Sequence, residues 1–200
     1  MTHTNLRLAV IIGSVREGRF GPVVAHWFRE QAELHGHFDL DIIDLADTPI
    51  PLPMPPEPPA LTPDLPRPES MADLTRRLDA ADAFVVVTPE YNRSFPASLK
   101  AAIDWHYNEW RAKPIGFVGY SGGSGALLAI EQLRQVFCEL HAVTVRDLVT
   151  FPRYYLLFGP DGRLKEPEAP EGAAKLLLDQ LHWWASVLHA ARNERPYAFT

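Results

Sequence analysis

Short apolar runs alternate with amphipathic stretches along the chain, and this pattern predicts an α/β fold. Runs of strand length with little or no charge occupy residues 6–12, 83–87 and 114–119. Such runs are typical of strands that are buried on both faces of a parallel sheet. Residues 38–44 begin by alternating apolar with acidic side chains, as an outer strand does, and residues 142–149 complete a fifth strand.

Helical patterns fill the segments between these strands. Pro22 suits the first turn of a helix, where its missing N–H costs nothing, and Ser70 with Asp73 resembles a capping box. The first helix is predicted to begin at Pro22. Four further helices are predicted over residues 70–81, 97–110, 126–140 and 173–191. The alternation predicts a single domain over residues 1–200, built on a five-stranded parallel sheet with helices on both faces.

Residues 49–68 interrupt this alternation with ten prolines. Proline lacks a backbone N–H, so neither a helix nor a central strand tolerates so many of them, and we predict a long surface loop. Two interpretations stay open. The loop is either a polyproline-like connection, or it is a flap over a functional site or an oligomer contact.

Three predicted strands end in polar turns, and parallel strands bring such turns to the sheet edge where ligands bind in open α/β folds. The turn at residues 13–20 offers the Ser14 hydroxyl, the Arg16 and Arg19 guanidinium groups and a helix N-terminus, which together suit a phosphate dianion. It is not a nucleoside-triphosphate loop, because Arg19 and Phe20 replace the lysine and the hydroxyl that such a loop requires. A helix cap with solvated arginines is the structural alternative.

The other two turns offer surfaces for a planar ligand. Residues 89–92 combine an aromatic face, an amide and a carboxylate, as a flat heteroaromatic ring requires. Residues 121–125 let backbone N–H groups approach a ligand closely, because glycine has no Cβ. A phosphate at one end and a planar ring at the other describe the shape of FMN. Taken singly, Tyr91 could instead be a core residue and the glycine turn a flexible connection.

Composition narrows the possible functions. The net charge of −6 gives no general attraction to nucleic acid or to an anionic membrane. No signal sequence and no run near the roughly 20 apolar residues of a membrane span occur, so we expect a cytoplasmic protein.

Cys138 has no intrachain partner, and we expect it to be a small buried hydrophobe. His106, Trp105 and Trp110 lie at helical spacing and are expected in the core or an interface.

The chain resembles the NAD(P)H-dependent FMN reductases of flavodoxin-like fold, a group that includes quinone, azo-dye and chromate reductases. The matching segments are residues 13–19, 88–92, 99–105, 113–123 and 131–134. The resemblance implies that the FMN phosphate lies on Ser14, Arg16 and the turn of Arg19, Phe20 and Gly21. It implies that the isoalloxazine ring lies against Pro89, Glu90, Tyr91 and Asn92, and against Tyr120, Ser121, Gly122 and Gly123.

The resemblance also implies the strand order 2-1-3-4-5, with FMN between the first and third strands. Hydride would pass from NADPH or NADH through FMN to a free flavin, a quinone or an azo compound in a ping-pong reaction. The cofactor carries this chemistry, so no catalytic side chain and no metal is expected. Family members are typically homodimers or homotetramers. Arg93 departs from the family pattern, and we predict that it attracts the 2′-phosphate of NADPH.

Two other functions stay open at this point. A flavodoxin-type electron carrier would bind FMN without turning over nicotinamide, although carriers often have strongly acidic faces and a charge of −6 is modest. A nucleotide-binding regulator would instead use the turn at residues 13–20. Turnover of NADPH by the pure protein identifies the enzyme, and a colourless protein would favour the regulator.

Overall fold

The computed structural model describes residues 6–62 and 66–198. Within these residues, parallel strands form one sheet of order β2-β1-β3-β4-β5, and β6 also pairs with β4. The strands are β1 Leu6–Ile12, β2 Phe38–Asp44, β3 Ala83–Pro89, β4 Pro114–Ser121, β5 Val143–Thr144 and β6 Val149–Pro152. The predicted strand order is therefore confirmed. The single-domain boundary at residues 1–200 stays a prediction.

Helices cover both faces of the sheet, as predicted. The helices are α1 Gly21–His35, α2 Ala72–Ala80, α3 Ala97–Asp104, α4 Leu127–Glu139, α5 Tyr154–Leu157 and α6 Glu168–Glu194. On one face, α1 and α6 bury side chains such as Phe28 and Leu181 against Val85 of β3. On the other face, helices α2 to α4 pack against Phe84 and its neighbours. Successive β3 residues thus serve opposite layers, which is the period of a strand.

The fifth position of the sheet holds two short strands, where the sequence predicted one strand over residues 142–149. β5 pairs with the start of β4, and β6 pairs with its end. Between them, the Arg134 guanidinium donates to the Val145 carbonyl at 2.6 Å, and Asp147 bonds to the Gln180 amide. Side chains from α4 and α6 thus replace ladder hydrogen bonds at the break. The break depends on these distant partners, so a local sequence pattern could not predict it.

The helix predicted over residues 97–110 ends earlier, at Asp104. The His106 ring donates from Nδ1 to the Ala102 carbonyl at 2.7 Å and so satisfies one of the last helical carbonyls. The chain then turns, and Asn108–Trp110 forms a short 3-10 helix. Apolar side chains still alternate at helical spacing across this break, which is why the periodicity alone overestimates the length.

Two further helix boundaries differ from the prediction. The Ser70 hydroxyl donates to the Pro49 carbonyl at 3.3 Å instead of capping α2, which begins at Ala72 after a 3-10 turn. The last helix is longer than predicted and spans Glu168–Glu194. Cys138 is exposed on α4, so the expectation that it is buried was wrong.

The proline-rich segment is a loop without helix or strand over residues 49–62 and 66–68, as predicted, and residues 63–65 lie outside the described part. The Trp105 indole donates to the Pro51 carbonyl at 2.8 Å, and Arg67 pairs with Glu109 at 2.8 Å. These contacts fix the loop to the region after α3. None of the loop's described residues lines the pocket that the turns after β1, β3 and β4 form at the carboxyl edge of the sheet.

The aromatic group after α3 belongs to the core, as predicted: Trp105, His106 and Trp110 are all buried. Burial lowers the pKa of His106. None of the described helices combines the length and the apolar character of a membrane span.

Candidate functional site

The turns after β1, β3 and β4 meet at the carboxyl edge of the sheet, as the sequence predicted. They enclose a pocket of about 320 Å³. Nine predicted site residues line it: Arg16, Arg19, Phe20, Pro89, Glu90, Tyr91, Tyr120, Ser121 and Gly122. The five that do not are Ser14, Gly21, Asn92, Arg93 and Gly123. Larger hollows of about 460 and 630 Å³ lie along α1 and α6, but no strand-end turn lines them.

Ser14 is completely buried and joins two of the turns. Its Oγ lies 2.6 Å from the Tyr91 hydroxyl, and it accepts a weaker hydrogen bond from the Arg16 N–H at 3.4 Å. The hydroxyl pair connects the turn after β1 to the turn after β3. Contact between Ser14 and a phosphate therefore stays a prediction.

The two arginines of the first turn have different surroundings. Arg16 is exposed, and within residues 6–62 and 66–198 its side chain forms no ion pair. The Arg19 guanidinium donates to both carboxylate oxygens of Asp44, at 2.5 and 2.7 Å. These hydrogen bonds raise the pKa of Arg19, although partial burial opposes the shift. Arg16 thus remains available to an anion, while Arg19 is already paired.

Gly21 and Phe20 follow this turn and pack against the protein behind it. A Cβ on Gly21 would lie 2.9 Å from an Ile12 methyl and 3.0 Å from the Tyr120 hydroxyl, so only glycine fits the first turn of α1. The Phe20 ring packs 4.7 Å from the ring of Tyr154. The predicted phosphate turn is therefore backed by closely packed aromatic side chains.

A tight turn follows β3. Asn92 and Arg93 both have left-handed backbone, with φ of 50° and 68°, and Tyr91 exchanges two backbone hydrogen bonds with Ser94, at 2.7 and 3.0 Å. The Gln132 amide on α4 donates to the Arg93 carbonyl at 2.8 Å. Consecutive positive φ angles are costly for residues other than glycine, and such strain is often found at ligand sites.

Glu90 connects the turn after β3 to the start of α4. Its Oε2 accepts hydrogen bonds from the Ser124 hydroxyl at 2.8 Å and from the Leu128 N–H at 3.1 Å. A carboxylate is favourable at a helix N-terminus, where N–H groups lack helical partners. Glu90 therefore holds the two turns that were predicted to contact the ring at a fixed separation.

Tyr120 and Ser121 lie in β4, whereas the sequence placed them in the following loop. The Ser121 hydroxyl accepts hydrogen bonds from three backbone N–H groups of that loop, those of Gly123, Gly125 and Ala126, at 3.2, 2.8 and 3.3 Å. Its side chain therefore shapes the loop. A Cβ on Gly122 or Gly123 would meet no atom of the described residues within 4 Å. The backbone of both glycines thus faces open space.

Tyr154 is a pocket residue that the sequence did not indicate. It begins α5, directly after β6, and its ring lies 5.5 Å from that of Tyr120 at 87°. The Tyr120 hydroxyl is buried and has no hydrogen bond of good geometry to any described residue, although Ser14 is near it. Burial raises the pKa of Tyr120. An aromatic pair after an apolar strand, Tyr154 with Tyr155, is the signal that could have indicated this position.

These features fit the group that the sequence suggested. The unpaired Arg16 and the N-terminus of the 15-residue helix α1 suit a phosphate. The open backbone at Gly122 and Gly123 leaves room for a ring edge, and aromatic side chains line the pocket between them. The residues present therefore fit FMN.

The comparisons with known proteins agree with this geometry. The family model described as NADPH-dependent FMN reductase matches residues 6–155. An NAD(P)H-dependent FMN reductase of Schizosaccharomyces pombe is 35% identical over 155 residues, covering 76% of this chain and 77% of that protein. A 2-hydroxy-1,4-benzoquinone reductase of a Burkholderia species is 31% identical over 157 residues, covering 76% and 78%.

A solved structure shows the same fold. It is the flavoenzyme NAD(P)H:(acceptor) oxidoreductase of Paracoccus denitrificans, with a TM-score of 0.71 and 26% identity. The match covers 91% of this chain and 98% of that one. The family model, the relatives and the site geometry lead to one assignment: the chain belongs to the NADPH-dependent FMN reductase family.

Proposed function

We propose that this FMN-dependent oxidoreductase binds NAD(P)H and its acceptor at one open face of the pocket, in alternation. When bound, FMN supplies the hydride chemistry, accepting from nicotinamide and donating to the second substrate. The chain supplies binding, orientation and hydrogen-bond donors. The observation that carries the proposal is the convergence of three strand-end turns on one pocket.

The pocket residues have different proposed roles, which follow from their positions. Arg16 and backbone N–H groups of the turn after β1 bind the phosphate, because a guanidinium and a turn at a helix N-terminus both favour a dianion. The N–H group of Gly122 reaches the ring edge, where charge builds on reduction, while that of Gly123 already donates to the Ser121 hydroxyl. Glu90 and Ser121 hold that loop in place through the hydrogen bonds described above.

The acceptor is proposed to be a flat, reducible small molecule. Two relatives point to this class: the 2-hydroxy-1,4-benzoquinone reductase and an FMN-dependent NADPH-azoreductase of Staphylococcus haemolyticus. An open face would admit quinones and azo compounds alike and discriminate poorly between them. The homodimer or homotetramer and the cytoplasmic location stay predictions.

Steady-state kinetics test the shared face. Initial rates are measured over a grid of NADPH and quinone concentrations, with an azo compound as the second acceptor. We expect parallel lines in double-reciprocal plots for both acceptors, because each substrate must leave before the other binds. Intersecting lines would show that both are bound together and would contradict the shared face, while the family assignment would stand.

A further inference from the structure

We propose that Asp44, at the end of β2, is a positioning residue for the phosphate-binding turn and that it acts through Arg19. The inference rests on the proposed function, since it needs the FMN phosphate in the turn after β1. It changes the role that the resemblance implies for the Arg19 side chain, from a phosphate ligand to a residue that holds the turn in place.

The Arg19 guanidinium is largely occupied within the chain. Nη1 and Nη2 donate to the two Asp44 oxygens at 2.5 and 2.7 Å, and Nη1 also donates to the Ser14 carbonyl at 2.9 Å. Three of the five N–H donors of the guanidinium are thereby used. Both side chains of the ion pair are only 18% exposed. A bidentate pair with this burial is strong and fixed in geometry.

Charge also opposes a direct contact between Arg19 and a phosphate. A dianion placed against Arg19 would lie beside the Asp44 carboxylate, and Asp47 adds a second negative charge that acts on Arg19. Arg16 has no such neighbour among its described contacts. Arg16 and backbone N–H groups, and not the Arg19 side chain, therefore bind the phosphate.

The ion pair joins two turns at the carboxyl edge. The Arg19 N–H donates to the Arg16 carbonyl at 3.1 Å, and the Asp44 carboxylate also accepts from the Ala46 N–H at 3.0 Å. Residues 15–18 are exposed, so little packing orders them. The Arg19–Asp44 pair anchors this exposed segment to β2 and so presents its N–H groups in one arrangement.

Three single variants and one double variant test the inference, with FMN and riboflavin affinities of the apoprotein as the measurement. Arg19→Ala and Asp44→Asn each remove the ion pair, while asparagine can still accept from the Ala46 N–H. Asp47→Asn is the matched control. It removes an equal charge from the same neighbourhood, and Asp47 takes part in no ion pair within residues 6–62 and 66–198.

We expect Arg19→Ala and Asp44→Asn each to weaken FMN binding by about tenfold, with riboflavin affinity changed by less than about twofold. The double variant should bind FMN no more weakly than either single variant, because both remove one interaction. Asp47→Asn should leave FMN affinity unchanged or raise it slightly, since it only reduces repulsion.

The opposite sign for Asp44→Asn overturns the inference. If this variant binds FMN more tightly while Arg19→Ala binds it more weakly, Arg19 is a phosphate ligand that Asp44 restrains. Unchanged FMN affinity in both variants, or an equal loss of FMN and riboflavin affinity, also contradicts it. Equal affinity of the wild type for FMN and riboflavin is a different failure, because it removes the phosphate from this turn altogether.

Discussion

Charged side chains have different surroundings at the amino and the carboxyl edge of the sheet. At the amino edge, the Asp82 carboxylate accepts from the Arg7 N–H at 3.0 Å, from His189 at 2.6 Å and from Arg192 at 3.1 Å. At the carboxyl edge, Arg19 is paired with Asp44, but Arg16 and Arg93 are exposed and form no ion pair within the described residues. A charge that the chain satisfies stabilises the fold, whereas a charge left open is available to a ligand.

Lys113 shows why burial and an altered pKa do not by themselves indicate a site. Its ammonium donates to the Leu78 and Asp79 carbonyls at 3.1 and 2.8 Å, and burial lowers its pKa to about 8. In a catalytic pocket such a lysine would suggest a nucleophile. Here it satisfies carbonyls at the end of α2, which is a structural role.

The largest effect is expected at the amino edge. Asp82→Ala should lower the free energy of unfolding by about 3 kcal/mol, because it removes the acceptor of the Arg192 guanidinium, of the His189 ring and of a backbone N–H. FMN affinity at neutral pH should be unchanged. Urea unfolding and flavin titration measure the two quantities. Asp73→Ala, which removes the ion pairs of the exposed Asp73 with Arg76 and Arg77, is the control and should cost about 0.5 kcal/mol. A similar small loss for Asp82→Ala would contradict the account of this edge.

The matching change at the carboxyl edge is Arg16→Ala. It should weaken FMN binding by about 2–3 kcal/mol, the loss of charge-assisted hydrogen bonds to phosphate. The free energy of unfolding of the apoprotein should change by less than about 0.5 kcal/mol, since Arg16 is exposed. Fluorescence titration with FMN and with riboflavin separates the phosphate from the ring. Arg163→Ala, at an exposed arginine of another pocket, serves as the control. A loss of riboflavin affinity equal to that of FMN would place Arg16 elsewhere.

Valine at Gly122 or Gly123 should weaken flavin binding by at least about 1.4 kcal/mol, or tenfold. The added Cβ occupies the space expected for the ring edge but meets no atom of residues 6–62 and 66–198, so the free energy of unfolding should hardly change. Gly172→Val is a matched control, because a Cβ there also meets open space but lies on α6. Full flavin content in both loop variants would show that the loop is only a turn.

Acidification should destabilise the protein through two histidines that lie outside the pocket. Burial lowers the pKa of His106 and of His182 below the ordinary value of 6.5, and the neighbouring His37 and His35 lower that of His182 further. The unfolded chain then binds more protons, so stability is complete above about pH 6.5 and is lost as the pH falls below it. Urea unfolding between pH 8 and 5 measures this loss.

His106→Gln isolates one contribution to this pH dependence. Glutamine can donate to the Ala102 carbonyl and accept from Thr75, the two partners of the histidine ring, but it does not titrate. The slope of stability against pH should therefore be shallower in the variant. An unchanged slope would mean that His106 does not titrate in this range.

The smallest effect concerns nicotinamide preference. Arg93→Ala should raise the KM for NADPH by about fivefold and leave the KM for NADH unchanged, because only NADPH carries the 2′-phosphate. The increase should shrink at high salt, where the attraction is already screened. If the ratio of the two KM values does not move, Arg93 has no part in the choice.

Much of the fold could be predicted because its signals are local. The apolar runs that became β1 and β3 contain their own evidence of burial on both faces, and the turns behind them follow from strand direction. The site was less complete. The sequence does not distinguish Arg16 from Arg19, because only the fold brings Asp44 to Arg19 and leaves Arg16 without an ion pair among the described residues. Tyr154 reaches the pocket through a helix of four residues, which is too short for a helical pattern, so the aromatic pair with Tyr155 was its only local signal.

The reaction cycle can be divided in two to test the shared pocket face most directly. FMN-loaded protein is mixed anaerobically with NADPH alone, the visible flavin absorbance is followed, and a quinone is added after the absorbance is stable. We predict that NADPH removes the flavin absorbance without any acceptor and that the quinone then restores it. A flavin band that NADPH leaves intact until the quinone is present would contradict alternate use of one face.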